Sequence, residues 1–289
     1  MAPAHASRAL LRAAYASYVI RKSLPRSRSP RLALLEAAFT NWRFPGYLGS
    51  IAYRLRRVSP VLFDGLMGVR VVLKTRRGPS LVARLRDVNG PAEVFGLDEY
   101  ETPWLDWSSV VYVLDAGAHV GGFTLWAANR CKCSIEALEP NPSTRALLES
   151  NVRRERLDDR VQVRPWAIAA SKGSRRLRPA ADSAASALVD ESRRGDVHVD
   201  AVTLAEAIAA SGFPRIDLLK MDIEGAEHEV FGALDAQTLG LVQFWIIECH
   251  PVGGTNHEAI EQVLVAAGFD VSEVAKPLGQ ALLIARRRA

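Results

Sequence analysis

Cysteine is scarce in this 289-residue chain, which contains Cys131, Cys133 and Cys249. An odd number of cysteines provides no disulfide framework, and the Cys-x-Cys pair lacks the second pair that a structural zinc site would need. We therefore expect reduced cysteines in a cytoplasmic protein.

Long apolar runs are missing as well. No apolar stretch reaches the ~18 residues of a membrane-spanning helix, and no apolar core followed by a small-residue cleavage site marks a secretory signal. These absences predict a soluble protein. The apolar fraction is nevertheless 48%, which is enough for one large domain with an extension or for two modest domains.

Acidic residues are nearly absent from the first 60 positions, which hold eleven Lys and Arg but one acid, Glu36. The chain as a whole has a formal net charge of +5, so the part beyond residue 60 is acidic overall. Residues 1–58 are predicted to be a basic helical N-terminal extension, broken at "LPRSRSPR". A solvated or partner-packing extension is favoured, while peripheral membrane contact, nucleic-acid contact and organelle targeting stay open.

Residues 59–108 are predicted to form a lead-in to the main domain. The stretch "VRVVLKTRRGPSLVARLRD" is typical of a β-hairpin that turns at Gly78 and Pro79. The acidic and aromatic stretch "EVFGLDEYETPWLDW" follows it, and we interpret that stretch as lid-like.

From residue 109 to residue 289, apolar runs alternate with helical patterns, which is typical of a parallel sheet covered by helices. This predicts an α/β fold, with a doubly wound, mostly parallel, seven-stranded Rossmann-like sheet that has a late hairpin at one edge. The strands are expected near 110–115, 134–139, 161–166, 217–222, 243–248, 269–274 and 281–286. The helices are expected near 122–130, 142–154, 203–211, 226–234 and 256–267. A loop, "PAADSAASALVDESRRGD", is expected over the functional edge.

The stretch "VLDAGAHVGGFTLWA" places a glycine-rich turn between an apolar strand and a helix. The strand ends at Asp115, and Gly117 and Gly121 allow the backbone to approach a ligand closely. His119 occupies the position of the second glycine of a dinucleotide fingerprint, so that fingerprint is missing. A carboxylate at the strand tip would repel a pyrophosphate but attract a cation. S-adenosylmethionine has a sulfonium, an ammonium and no phosphate, and it therefore fits this turn better than NAD.

The next predicted strand ends in "EALEPN", which puts Glu139 22 residues beyond Gly117, at the tip of the neighbouring strand. A carboxylate at that place can accept hydrogen bonds from both ribose hydroxyls of a nucleoside. Glu139 is therefore predicted to contact the ribose of the cofactor.

Five motifs in order resemble those of the FkbM-type S-adenosylmethionine-dependent methyltransferases: "DAGAHVGGFTL", "EALEPNP", "RPWAIAASKG", "DLLKMDIEGAEHEVF" and "WIIECHP". The resemblance covers roughly residues 90–285 and implies a class I methyltransferase fold and O-methylation of a sugar, polyketide or lipid hydroxyl. It implies cofactor contacts at Asp115, Gly117, Gly121 and Glu139, and it places Asp222 and Glu224 at the reaction cleft. The family commonly has Asn where this chain has His119, and its pattern does not cover residues 1–60.

The stretch "LLKMDIEGAEHEVF" runs an apolar strand into Asp222 and Glu224, and His250 ends the later strand "FWIIECH". These three side chains are the candidate catalytic residues, as a base for the acceptor hydroxyl or as ligands of a divalent cation such as magnesium or manganese. The metal-free base is favoured, with Glu224 ahead of Asp222. Asp222 is also a candidate cofactor contact because it lies nearer the strand.

Neighbouring polar residues receive plainer interpretations. Glu227 and Glu229 are expected to stabilise a helix dipole from its first turn, and His228 is expected on a solvated helix face. Lys220, inside an apolar strand, is given no role.

The resulting prediction is an S-adenosylmethionine-dependent methyltransferase that methylates oxygen on a sugar, polyketide, lipid or other small acceptor. An N-methyltransferase, a nucleic-acid methyltransferase and a non-catalytic methyltransferase-fold scaffold docked through its basic N-terminus are the alternatives. An "NPPY"-type run, typical of enzymes that methylate flipped bases, is missing where the fourth strand ends in "DIEG", so no specific nucleic-acid partner is predicted.

Overall fold

The computed structural model describes residues 68, 70–75, 78–96, 99–179, 186–189, 195–253, 255–276 and 280–288. The chain divides into two units, Met1–Glu101 and Thr102–Ala289. The basic extension predicted for residues 1–58 lies outside the described residues, and the three-part division of the chain stays a prediction.

The first unit contains the predicted hairpin. Strand β1 (Arg70–Lys74) pairs antiparallel with β2 (Ser80–Arg84), in a register that sets Lys74 opposite Ser80. A 3-10 turn and helix α1 (Asn89–Gly96) follow. The hairpin is confirmed, and the lid-like role of the following segment stays a prediction.

The second unit opens with a 3-10 turn, Trp107–Ser109, and continues with eleven strands and six helices in its described part. In chain order these are β3 (Tyr112–Ala116), α2 (Gly122–Arg130), β4 (Ser134–Leu138), α3 (Pro142–Arg154), β5 (Val161–Arg164), β6 (Trp166–Ile168), β7 (Gly173–Arg178), β8 (Ala187–Val189), β9 (Val197–Val202), α4 (Leu204–Ser211), β10 (Leu218–Met221), α5 (Glu227–Ala233), α6 (Ala236–Gly240), β11 (Phe244–Cys249), α7 (Glu258–Ala266), β12 (Phe269–Ala275) and β13 (Ala281–Arg287).

Seven of these strands form the main sheet, in the order β12-β13-β11-β10-β3-β4-β5. The central pairs are parallel, and β13 lies antiparallel between β11 and β12. From β3 the chain builds the sheet in one direction through β4 and β5, then returns to place β10 on the other side of β3. The predicted doubly wound, mostly parallel sheet with a late hairpin at its edge is confirmed. The strand order reverses between β3 and β10, and this is the switch point of the sheet. Open α/β sheets bind their ligands at the carboxyl ends of the strands at such a point.

The central strands are buried along their whole length. Every residue of β10 and of β11 is buried, which is the pattern of a parallel strand covered on both faces. This explains why continuous apolar runs in the sequence located these strands.

A second, four-stranded sheet was not predicted; its order is β6-β9-β7-β8. The strand expected at 161–166 ends at Arg164, because Pro165 has no N–H to continue the ladder, and Trp166 begins β6 of the second sheet. The segment expected to be a loop contains β8, which pairs with β7, while much of that segment lies outside the described residues. A three-residue strand is too short to produce a pattern that sequence periodicity can detect.

The cysteine expectation was wrong for one pair. Cys131 and Cys133, in the connection between α2 and β4, form a disulfide, whereas Cys249 is free and buried. No helix in the described part of the chain is both long enough and apolar enough to cross a membrane. The cytoplasmic location stays a prediction.

Candidate active site

The glycine-rich turn after β3 packs over the end of the neighbouring strand. The backbone N–H groups of Gly117 and Ala118 both donate to the carbonyl of Leu138, the last residue of β4. The turn needs left-handed backbone at Gly117 (φ 82°), His119 (φ 52°) and Gly121 (φ 95°). Histidine is enriched in that region among residues other than glycine, so His119 can adopt the conformation that the turn needs.

Gly117 is required by the approach of two chain segments. A Cβ atom on Gly117 would lie 1.8 Å from the backbone oxygen of Asp222. The turn after β3 therefore touches the backbone that follows β10, which joins the predicted cofactor side of the site to the predicted acceptor side. This contact explains the glycine without any ligand.

Asp115 lies beneath this turn and is fully buried. Its Oδ2 accepts a 2.5 Å hydrogen bond from the Thr124 hydroxyl. Its Oδ1, without a hydrogen bond to any described residue, lies 3.6 Å from the Lys220 Nζ. Burial raises the pKa of Asp115, against the opposing effects of Lys220 and Thr124. Asp115 thus supports the loop from below, and its direct contact with a cofactor stays a prediction.

Glu139 stands beside the turn at the tip of β4. Its Oε2 accepts from the N–H of His119 at 2.9 Å, and its Oε1 accepts from the N–H of Asn141 at 2.8 Å. Burial raises its pKa to about 7, although both hydrogen bonds act in the opposite direction. Each carboxylate oxygen has two lone pairs, so both oxygens keep an acceptor position that ribose hydroxyls could use.

The three candidate catalytic side chains come together at the switch point. Asp222 and Glu224 follow β10, and His250 follows β11. The Nε2 of His250 lies 3.5 Å from a Glu224 oxygen and 4.0 Å from an Asp222 oxygen. One ligand atom from each residue lies within 4.8 Å of the others, so the set could also hold a divalent cation.

The charges in this cluster change the protonation of its members. Burial and the nearby Asp222 raise the pKa of Glu224 to about 8. Burial by itself would lower the pKa of His250, but a hydrogen bond to Glu227 and the charges of Asp222 and Glu224 raise it to about 10. For Asp222, the cations Lys220 and His250 outweigh burial and lower the pKa. Glu224 is therefore the member whose pKa lies nearest neutrality, as a general base requires.

Lys220, given no role from the sequence, connects the two sides of the site. It is 4% exposed, its Nζ donates to the Gly117 carbonyl at 2.9 Å, and the same atom lies 3.3 Å from Asp222. Burial alone would lower its pKa, but Asp222 and Asp115 raise it. The available signal was a lysine in an otherwise apolar strand, since a buried lysine needs anionic partners.

Glu227 and His228 also differ from expectation. Glu227 is fully buried, with its Oε1 3.2 Å from the Nδ1 of His250. His228 is half-buried, with its Nε2 3.0 Å from the His250 carbonyl. Glu229 is exposed, as a residue acting on the helix dipole can be. The first turn of α5 therefore faces the site, which its sequence does not reveal.

Comparison with known proteins points to one family. The model for the methyltransferase FkbM domain matches residues 115–271, more than half of the chain and every candidate site residue above. The chain is similar to the hexuronic acid methyltransferase AglP of Haloferax volcanii, with 27% identity over 206 residues, 69% of this chain and 72% of that protein. It is also similar to the 31-O-demethyl-FK506 methyltransferase FkbM of Streptomyces tacrolimicus, with 26% identity over 198 residues, 57% of this chain and 75% of that protein.

Among solved structures, the chain is similar to the O-methyltransferase from Bacillus cereus in complex with SAH. The likeness covers 62% of this chain and 74% of that one, at 14% sequence identity and a TM-score of 0.38. A score of that size does not establish a shared fold, and the strand order described above remains the evidence for the fold.

Proposed function

The chain belongs to the methyltransferase FkbM domain family, and from that membership we propose that it transfers the methyl group of S-adenosylmethionine to a hydroxyl of a small acceptor. The observation that carries the proposal is the meeting of Glu224, Asp222 and His250 at the switch point, beside the glycine-rich turn. A nucleoside ligand bound at that turn would lie next to a group that can take a proton.

The proposed cofactor residues fit a cationic nucleoside. When bound, S-adenosylmethionine supplies the methyl group. Glu139 would accept from the ribose hydroxyls through the lone pairs that its two backbone partners leave available. Gly117 and Gly121 keep the turn free of side chains, while Asp115 and Asp222 supply negative charge near a sulfonium and an ammonium.

The proposed base is Glu224. Methyl transfer from a sulfonium is an in-line displacement, so the acceptor oxygen must be held at about 3 Å from the methyl carbon and must lose its proton. Burial and Asp222 raise the pKa of Glu224 to about 8, so its carboxylate becomes available to take the proton as the pH rises toward that value. Asp222, which is held by Lys220, serves to position the acceptor or the cofactor. His250 offers its Nε2 side to both carboxylates.

Oxygen on a sugar or polyketide is the proposed acceptor class. One relative is a hexuronic acid methyltransferase and another is a 31-O-demethyl-FK506 methyltransferase. A carboxylate base suits a neutral hydroxyl, which must be deprotonated during transfer. An amine acceptor, already basic, needs such a group less.

A divalent cation is the second candidate for the same cluster. Two carboxylates and one imidazole with ligand atoms within 4.8 Å suit magnesium or manganese. Asp222, Glu224 and His250 would hold the ion, and the ion would supply charge to bind and acidify the acceptor hydroxyl.

Calorimetry and a transfer assay test these proposals. The full chain is titrated with S-adenosylmethionine and S-adenosylhomocysteine, then incubated with methyl-labelled S-adenosylmethionine and a hexuronic acid or a macrolide with a free hydroxyl. Binding of both nucleosides and label on the acceptor oxygen are expected. A folded protein that binds neither nucleoside would overturn the proposal and favour the scaffold alternative. Loss of transfer with a chelator, and its return with magnesium or manganese, would favour the cation over the metal-free base.

A further inference from the structure

Glu227 sits at the centre of the catalytic cluster, although it is neither the proposed base nor a proposed cofactor contact. Its side chain is fully buried and makes three contacts. Oε1 accepts from the backbone N–H of Ile223 at 2.9 Å and lies 3.2 Å from the Nδ1 of His250. Oε2 accepts from the backbone N–H of Gly225 at 2.9 Å.

A helix-dipole role does not account for this arrangement. Glu227 and Glu229 both lie in the first turn of α5, where an acid at either position stabilises the dipole. Glu229 does so from an exposed position, whereas Glu227 is buried, which is costly for a carboxylate unless its partners compensate. The burial of Glu227 therefore needs an explanation beyond the helix dipole, and its contacts provide two.

The first explanation concerns the turn that holds Glu224. Its backbone is left-handed at φ 57°, and Gly225 follows at φ 104°. A left-handed conformation at a residue other than glycine is strained and persists only where its surroundings impose it. Glu227 accepts from the N–H groups on either side of Glu224, at Ile223 and Gly225. These two bonds hold Glu224 in the conformation that directs it toward His250.

The second explanation concerns the imidazole of His250. A carboxylate ion can only accept, so the Nδ1 next to Glu227 must carry its proton. With Nδ1 held in this way, Nε2 faces Glu224 at 3.5 Å and Asp222 at 4.0 Å. The orientation of the ring is thus set from inside the protein, on the side away from the two carboxylates.

We propose that Glu227 is a positioning residue for methyl transfer, which fixes Glu224 through the backbone of its turn and His250 through Nδ1. Since this role rests on the proposed function, Glu227 should be needed for transfer but not for binding of the nucleoside. Within the described part of the chain, the side-chain hydrogen bonds of Glu227 reach Ile223, Gly225 and His250, and none of them reaches Gly117 or Glu139.

Glu227→Gln tests the proposal, with Glu229→Gln as the matched control from the same helical turn. A carboxamide has one oxygen, so its NH₂ group must face either the N–H of Gly225 or the N–H groups of Ile223 and His250. Displacement of catalytic groups by about 1 Å can cost ~10²-fold in rate. We expect Glu227→Gln to lose transfer by about that factor, with S-adenosylhomocysteine affinity within about threefold of wild type. Glu229→Gln should match wild type in both measurements.

Nitrogen NMR of the labelled histidine ring at pH 7 supplies a measurement independent of activity, with the His250 signals assigned through His250→Gln. In the wild-type chain, Nδ1 of His250 should show the shift of a protonated nitrogen. In Glu227→Gln the His250 ring signals should move, and in Glu229→Gln they should not. A role for Glu227 confined to α5 and the turn at Glu224, without the contact to His250, would leave them unchanged.

The outcomes separate this proposal from the proposed function. An unprotonated Nδ1 in the wild-type chain overturns the role of Glu227 even if Glu227→Gln does not fold. Unchanged transfer or unchanged His250 signals in a folded Glu227→Gln variant also overturn it. If the wild-type chain methylates no acceptor while Nδ1 is protonated and responds to Glu227→Gln, the proposed function fails and the structural contact stands.

Discussion

Glu139 offers the sharpest test of how the cofactor binds. Replacing Glu139 with alanine removes the carboxylate at the tip of β4, whose two oxygens accept from the N–H groups of His119 and Asn141. The matched control is Glu136→Ala on the same strand. Glu136 is also buried, but its carboxylate pairs with the Arg164 Nε at 2.6 Å. Both variants lose a buried carboxylate, and Glu139→Ala alone should lose cofactor affinity.

The size of the effect follows from the bonds that are lost. A hydrogen bond to a charged group contributes ~1.5–3 kcal/mol, and every ~1.4 kcal/mol corresponds to tenfold in affinity. Glu139→Ala should therefore weaken binding of S-adenosylhomocysteine by at least about tenfold in calorimetry. Glu136→Ala should leave that affinity within about threefold. Both variants should have a lower melting temperature, because Glu139→Ala leaves two backbone N–H groups without their acceptor and Glu136→Ala leaves the Arg164 guanidinium without its acceptor.

The pH dependence gives a second measurement on the same residue. Burial raises the pKa of Glu139 to about 7, so the carboxylate gains a proton as the pH falls through that value and becomes a weaker acceptor. Affinity for S-adenosylhomocysteine should be full at pH 8, decline toward pH 6 in the wild-type chain, and show no such decline in Glu139→Ala. The free energy of unfolding depends on pH in the opposite direction. Because the raised pKa favours the protonated form of Glu139 in the native state, this group stabilises the fold at low pH, and the stabilisation is lost as the pH rises through about 7. Unchanged affinity in a folded Glu139→Ala protein would refute the ribose contact.

Three further predictions concern the rest of the site. Glu224→Gln should reduce turnover by ~10²–10⁴ while S-adenosylhomocysteine affinity stays within a few-fold; full turnover, with or without a chelator, would remove this carboxylate from the mechanism. Gly117→Ala should lower the melting temperature and abolish nucleoside binding in calorimetry, since the added Cβ would lie 1.8 Å from the Asp222 backbone oxygen; a wild-type melting curve would contradict that close approach. Lys220→Met leaves two carboxylates without their buried cation, and breaking such a pair costs ~3–5 kcal/mol; a denaturant titration that finds less than about 1 kcal/mol would contradict the bridging role.

The main sheet could be predicted from the sequence because its signals are local. A strand buried on both faces, such as β10 or β11, appears as a continuous apolar run. The helices between the strands are marked by the helical spacing of their apolar residues, and glycines mark the turn after β3. Because the carboxyl ends of parallel strands share one edge, the same patterns also predicted that Asp222, Glu224 and His250 would lie near one another, as they do.

The second sheet and the disulfide needed the tertiary structure. Strands β6 and β8 have three residues each. A strand of that length is too short for its pattern to differ from that of a loop. Cys131 and Cys133 have a single residue between them in the sequence, and whether such a pair bonds depends on the backbone between α2 and β4.

The roles of Glu227 and Lys220 also became visible only in the tertiary structure. In sequence, Glu227 cannot be distinguished from Glu229, since both are acids in the first turn of one helix. What separates them is β11, which lies beside β10 and brings His250 within 3.2 Å of Glu227. Lys220 likewise gains its partners from β3, which lies on the other side of β10. Apolar periodicity determines which strands form because it acts between near neighbours in the chain. The charge partners of a buried residue are determined by strands that meet only when the sheet is complete.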